Sequence, residues 1–213
     1  MKLDKKAMRL YIVTDRSWLG NNSFLEQIEN TLKAGATFLQ LREKEISYSE
    51  FKEEALEVQK LAKKYKVPFV INDNVELAME IGADGVHVGQ SDMKASNVRK
   101  MIGDDKILGV SVQTLSQAKE AEFCGADYLG VGAVFSTSTK LDADSVSFET
   151  LQEICNSVTI PIVAIGGINE NNIFALENSG IDGVVAISAI FAKDNIYEAA
   201  KKIEKLSNEV VKH

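Results

Sequence analysis

A closed (β/α)8 barrel with its working face at the C-terminal ends of the strands is the fold this sequence predicts, and three observations predict it. Short apolar runs recur eight times, spaced by roughly 20 to 30 residues. Amphipathic stretches separate them. A short phrase built around glycine returns four times, each time just ahead of an apolar run. Continuous apolar strands alternating with helices imply a parallel sheet covered on both faces.

The runs lie at 10–13, 38–41, 69–71, 85–88, 107–110, 128–131, 162–165 and 183–187. The clearest helix is 48–65, where Phe51, Ala55, Val58, Leu61 and Ala62 fall on one face. Further helical patterns cover 75–81, 116–124, 148–155, 171–178 and 196–210, with one more near 97–101. The repeated phrase is Ala34-Gly-Ala36, Ile81-Gly-Ala-Asp84, Cys124-Gly-Ala-Asp127 and Ser179-Gly-Ile-Asp182. Its glycine reads as a helix stop in the left-handed conformation. Residues 1–213 then make one barrel domain, small beside the ~250 residues usual for such barrels. An open doubly wound sheet shares the alternation, but no GxGxxG opens the first helix, which counts against a dinucleotide-binding version.

Lys and Arg number 24 against 31 Asp and Glu, a formal net charge of −7. That balance argues against nucleic acid or an anionic membrane as partner. Cys124 and Cys155 sit in helical patterns with neither metal nor redox spacing, so they read as reduced, buried thiols. The opening MKLDKKAMRLYIVTD has no signal-peptide character, and no apolar run reaches 18 residues. A soluble cytoplasmic protein is the expectation.

In a barrel, function gathers where strands run into the following helices. The polar residues there are Thr14-Asp15, Arg42-Glu43-Lys44, Asn72-Asp73-Asn74, Gly89 to Asp92, Ser111, Ser136 to Lys140, Gly166-Gly167 and Ser188. The loops after strands seven and eight carry Gly166-Gly-Ile168 and Ser188-Ala-Ile190, a pairing that often forms a phosphate site from backbone N–H groups. Asp73 and Asp92 end neighbouring strands. They read either as helix caps or as a carboxylate pair for Mg²⁺. Arg42, Lys44 and Lys140 supply positive charge at the mouth; a guanidinium can grip two phosphate oxygens at once. His87, inside strand four, reads as structural rather than as a base, His213 carries no inference, and Trp18 lies in a loop that could cover the mouth.

The runs Leu10-Tyr-Ile-Val-Thr-Asp15, Gln40-Leu-Arg-Glu-Lys44 and Ile71-Asn-Asp73 resemble the thiamine phosphate synthase family. So do Ala83-Asp-Gly-Val-His-Val-Gly-Gln-Ser-Asp92, Thr137-Ser-Thr-Lys140 and Ala164-Ile-Gly-Gly-Ile168. The likeness extends from about Arg9 to Phe191, and the motifs are specific as an ordered set. It implies an enzyme that joins a pyrimidine methyl diphosphate to a thiazole phosphate and releases diphosphate. It implies that Gln40, Leu41, Arg42, Glu43, Lys44, Asn72, Ser111 and Lys140 hold the pyrimidine diphosphate. Arg42, Lys44, Ser111 and Lys140 would act on the chemistry, with Mg²⁺ on Asp73 and Asp92. It sets Thr137, Ser138, Thr139, Gly167, Ile187 and Ser188 against the thiazole phosphate. Two departures stand out: Gly132-Ala133 where the family commonly has Gly-Pro, and no glycine near Ser147 or Phe148. Both flank the 135–145 loop and touch its closed shape.

Three rivals share the barrel or the phosphate site. A thiazole tautomerase would not need Asn72, Asp73, Asp92 and Lys140. A sugar-phosphate isomerase would need an acid/base pair the strand ends do not offer. A phosphate-binding sensor would have no use for Asp73 and Asp92.

Overall fold

Eight parallel strands pair in sequence order and the last returns to the first, closing the barrel. The structure, a computed structural model, describes residues 3–20, 22–136 and 145–211. The strands are β1 (Leu10–Val13), β2 (Phe38–Leu41), β3 (Phe69–Asn72), β4 (Gly85–Val88), β5 (Ile107–Val112), β6 (Tyr128–Val131), β7 (Ile162–Ile165) and β8 (Gly183–Val185). Five match the predicted bounds. β3 gains Asn72 because it pairs with His87, and β5 runs on because Ser111 and Val112 pair with Gly130 and Val131. β8 is shorter than predicted: its ladders end at Val185, opposite Tyr11 and Ile165.

The helices are α1 (Phe24–Lys33), α2 (Tyr48–Tyr65), α3 (Val75–Glu80), α4 (Ala95–Ile102), α5 (Leu115–Phe123), α6 (Phe148–Ser157), α7 (Ser188–Phe191) and α8 (Ile196–Val210). Capping boxes start three of them: Ser23 with Glu26, Ser47 with Glu50 and Thr114 with Gln117. The predicted helix at 171–178 shrinks to a 3-10 turn, Ile173–Leu176. Asn169 and Asn172 bond nearby backbone with their side chains, which competes with a regular helix start. No described helix is long and apolar enough to cross a membrane. Cys155 lies within α6 and Cys124 just past α5; both are free thiols, and both are half-buried rather than buried.

Strand alternation builds two nested cores. Tyr11, Val13, Phe38, Val70, Ile107, Tyr128, Val163 and Val185 pack together inside the barrel. Leu10, Ile12, Leu39, Leu41, Val86, Val88, Leu129 and Val131 pack outward with residues of the helices. A strand with both faces covered reads as one continuous apolar run, which is why the strands were legible.

The repeated phrase does more than stop helices. The residue at its fourth position, Thr37, Asp84, Asp127 or Asp182, accepts a backbone N–H from the preceding strand: from Leu10 (2.9 Å), Phe69 (2.9 Å), Leu108 (2.8 Å) and Ile162 (2.8 Å). The backbone N–H of each returns a bond to the carbonyl of the same partner. Four such clips tie β1 to β2, β3 to β4, β5 to β6 and β7 to β8 at the N-terminal end of the barrel. Lys5 pairs with Asp182 at 3.0 Å and Arg99 with Asp127 at 2.6 Å, so two of the clips carry compensated charge. Asp182 is 2% exposed, so its loss strands a buried N–H. Asp182→Ala should cost about 2–3 kcal/mol of unfolding free energy and leave KM unchanged, with Asp182→Asn costing less because its carbonyl still accepts. Denaturant melts of the two variants check this; equal stability of Asp182→Ala and wild type would show that the clip contributes nothing.

Candidate functional site

A cavity of about 320 Å³ opens at the C-terminal ends of the strands, within the range of small-molecule sites. Gln40 and Arg42 reach it from β2 and its loop, Asn72 from β3, Ser111 from β5, Gly166 and Gly167 from the β7 loop, Ile187 from the β8 loop and Ser188 from the start of α7. Parallel strands in register deliver all of these tips to one side of the sheet.

The backbone fixes these tips. Thr14 Oγ1 accepts the Arg42 N–H at 3.0 Å, so β1 holds the start of the Arg42 loop. At the β7 loop, Gly166 and Gly167 have φ of +102° and +65°. A Cβ on Gly167 would lie 2.4 Å from the Ser136 carbonyl oxygen, so only glycine lets the two loops meet. The Gly167 carbonyl accepts from the side-chain amides of Asn169 (3.0 Å) and Asn172 (2.9 Å). In a trans peptide the N–H opposes the carbonyl. The two asparagines therefore turn the Ile168 N–H away from themselves, at a loop that lines the cavity.

Asp73 and Asp92 come together beside this cavity. Asp73 has φ +60° and does not cap α3; Asn74 does, accepting the Leu77 N–H at 2.9 Å. Asp92 does not cap α4, whose first turn has no side-chain cap; its carboxylate accepts the Gly89 N–H at 2.8 Å. Burial, and then the nearby Asp92 carboxylate, push the Asp73 carboxyl up to about 6, while the Lys44 ammonium opposes the shift. Two acceptor-only groups facing each other call for a shared proton or a cation. That donor set fits Mg²⁺, which uses one or two carboxylates and fills its shell from water and phosphate. Among the described residues no cluster of three or more metal-ligating side chains exists, so any ion there rests on this pair.

The floor of the cavity is polar. Gln40 Nε2 donates to the Tyr11 hydroxyl at 2.5 Å, and the Tyr11 and Tyr128 hydroxyls lie 2.7 Å apart. Tyr128 Oη is 2.8 Å from His87 Nδ1, and His87 Nε2 is 2.8 Å from Ser111 Oγ. Burial pushes the His87 imidazole down to about 4, so it is neutral at ordinary pH. His87 is buried among hydrogen-bonding partners, in line with a structural histidine, but it also lines the cavity.

Several predicted residues sit beside the cavity rather than in its wall. Leu41 turns its side chain to the outer core, so any contact it makes is through its backbone. Glu43 points to Arg16, at 3.2 Å, and Arg16 also grips Glu54. Lys44 is exposed near Asp73. Trp18 is 39% exposed in a 3-10 turn and is not part of the wall. Thr137, Ser138, Thr139 and Lys140 lie outside the described residues. Flanking them, the Gly132–Ala133 peptide is cis and the Ala133 carbonyl accepts the Val146 N–H at 2.7 Å. The residues that sequence reasoning missed are Tyr11, Tyr128, Gln113, Asn169 and Asn172. A polar-tipped aromatic at an inward strand position was the available signal for Tyr11 and Tyr128.

Comparison with known proteins agrees with the fold. The thiamine monophosphate synthase family model matches residues 10–190. The thiamine-phosphate synthase of Clostridium tetani is 48% identical over 200 residues, covering 94% of this chain and 96% of its own. That of Alkaliphilus oremlandii is 51% identical over 195 residues, covering 92% and 93%. The solved thiamine phosphate pyrophosphorylase from Pyrococcus furiosus superposes with a TM-score of 0.90 at 36% identity, over 98% of this chain and 99% of that one. A (S)-3-O-geranylgeranylglyceryl phosphate synthase from Thermoplasma acidophilum, 17% identical with a TM-score of 0.68 over 95% of this chain and 94% of that one, shares the fold alone. A match across all eight strands, joined to relatives near half identity over nearly full length, settles kinship: this chain belongs to the thiamine monophosphate synthase family.

Proposed function

We propose that this enzyme transfers the 4-amino-2-methylpyrimidin-5-ylmethyl group from its diphosphate to a thiazole phosphate, giving thiamine monophosphate and diphosphate. The observation that carries the reading is the meeting of Asp73 and Asp92 beside a cavity bordered by Arg42, Ser111 and the Gly166-Gly167 loop. Family membership supports the same reaction.

In this reading the carbon–oxygen bond to diphosphate breaks, the electron-rich aminopyrimidine bears the resulting cation, and the thiazole nitrogen attacks it. Arg42, Lys44 and Lys140 bind the diphosphate and stabilise the negative charge that grows as it leaves. Gln40, Asn72 and Ser111 orient the pyrimidine diphosphate, with Leu41 at the end of β2 and Glu43 in the following loop contributing through their backbone. Thr137, Ser138 and Thr139 would bind the thiazole phosphate together with Gly167, Ile187 and Ser188. Asp73 and Asp92 would hold Mg²⁺, which supplies positive charge to the leaving group when bound. Attack by a neutral ring nitrogen needs no general base. A neutral His87 held at both ring nitrogens is consistent with that economy.

Incubation of the protein with the pyrimidine diphosphate, the thiazole phosphate and Mg²⁺ should yield the coupled product by mass, and no product from the complete mixture would refute the assignment. Arg42→Ala should lower kcat/KM by about a hundredfold, the loss expected when a charged bidentate grip is removed. Lys140→Ala should lower turnover steeply with a smaller effect on thiazole phosphate binding; an unchanged single-turnover rate would remove Lys140 from the chemistry.

The carboxylate pair also predicts a pH signature. Without metal the folded state holds the Asp73 proton up to about pH 6, whereas an unfolded aspartate releases it near ~3.9. The folded state thus binds the extra proton in that window, and the associated stability is lost as pH rises through about 6. A shared ion removes the repulsion, so Mg²⁺ should raise the melting temperature by a few degrees near pH ~7.5 and by much less near pH ~5. Equal shifts at both values, or none at either, would contradict an ion on Asp73 and Asp92.

A further inference from the structure

Gln40, Tyr11, Tyr128, His87 and Ser111 come from β2, β1, β6, β4 and β5, yet form one unbroken chain of hydrogen bonds of 2.5 to 2.8 Å through the barrel interior. The barrel is shaped around it. A Cβ on Gly109 would lie 2.1 Å from the Tyr128 ring and 2.5 Å from His87 Nδ1. Gly109 pairs with both His87 and Tyr128 across the sheet, so the glycine leaves the space in which the two side chains meet.

Proton accounting gives the chain a direction. The Gln40 amide nitrogen can only donate, so the Tyr11 oxygen accepts from it; a buried hydroxyl proton left unpaired is costly, so Tyr11 gives its own to Tyr128, its other partner in the chain. Tyr128, accepting from Tyr11, gives its buried proton on the same ground to His87 Nδ1. With Nδ1 an acceptor, the neutral imidazole carries its hydrogen on Nε2 and donates to Ser111 Oγ. Ser111 accepts that bond on one lone pair, which leaves its own O–H available to donate into the cavity it lines.

We propose that Tyr11, Tyr128 and His87 are positioning residues that fix Ser111 as a hydrogen-bond donor toward an oxygen of the pyrimidine diphosphate. The proposal rests on the reaction proposed above for the identity of that acceptor, but the polarity of the chain stands apart from it. A donor is what an anionic leaving group requires, and one held before substrate arrives need not reorganise during the reaction. Turning the Gln40 amide over would reverse every bond: His87 would carry its hydrogen on Nδ1, and Ser111 would become a donor to the ring with only lone pairs left for the ligand.

Two measurements test this. Nitrogen-15 NMR of the full chain reads the imidazole tautomer directly, and with only two histidines, His87 and His213, assignment is simple. The expected result is a protonated Nε2 and a bare Nδ1 on His87; a hydrogen on Nδ1 overturns the proposal. The spectrum needs no variant and no turnover, so it decides even if Tyr128→Phe fails to fold or the wild type makes no coupled product. In steady-state kinetics, Ser111→Ala and Tyr128→Phe should each lower kcat by about tenfold or more, with KM changed far less. The double variant should fall little below Ser111→Ala alone, because Tyr128 acts through Ser111. Losses that multiply in the double variant would show that Tyr128 has an independent, merely structural part, and would overturn the positioning role.

Discussion

Closure of β8 onto β1 is the constraint on which the rest of the molecule depends. Leu10 pairs with Val184 and Tyr11 with Val185, and those short ladders turn a row of strands into a ring. Without them Gly167, Ile187 and Ser188 would lie at one edge of an open sheet, remote from Gln40, Arg42 and Asn72. With them, polar residues scattered from 14 to 188 border one cavity. The four clips at Thr37, Asp84, Asp127 and Asp182 secure the other end, so stability and function occupy opposite rims of one ring.

The interior of the ring divides along the same axis. Met8, Phe38, Val70 and Val163 belong to its apolar fill. Toward the cavity the fill turns into hydroxyls, an imidazole and an amide that satisfy one another. A buried polar network is costly when half-satisfied and rigid when complete. Here completion has a functional sense, because the last member of the chain faces the ligand space.

The fold was legible because its signals are local or periodic. Apolar runs covered on both faces announce strands, and the bounds of β1, β2, β4, β6 and β7 followed from them, as did α2 and α8. The misses have physical causes. β3 and β5 outran their apolar stretches because pairing with a neighbour, not hydrophobicity, ends a strand. The segment at 171–178 carries a helical pattern, but Asn172 within it and Asn169 just before it bond backbone with their side chains instead. The repeated phrase is visible in the sequence, but the work its glycine suggests is shared by its fourth residue, whose clip needs the neighbouring strand. Asp73 and Asp92 were ambiguous in sequence between cap and ligand; the caps fell to Asn74 for α3 and to no side chain for α4, which leaves the carboxylates free to face each other. The Tyr11–Tyr128–His87 contacts were not legible, since their partners lie 117 and 41 residues apart and only the barrel unites them.

The most direct test of the account is where a divalent ion and a diphosphate settle. Crystals of the protein grown with Mn²⁺ in place of Mg²⁺ and with inorganic diphosphate would show the ion by its anomalous signal. The account predicts one peak between the Asp73 and Asp92 carboxylates, with the diphosphate reaching from it toward Arg42 inside the cavity. An ion bound elsewhere, or Asp73 and Asp92 turned to separate faces of the ring, would contradict it.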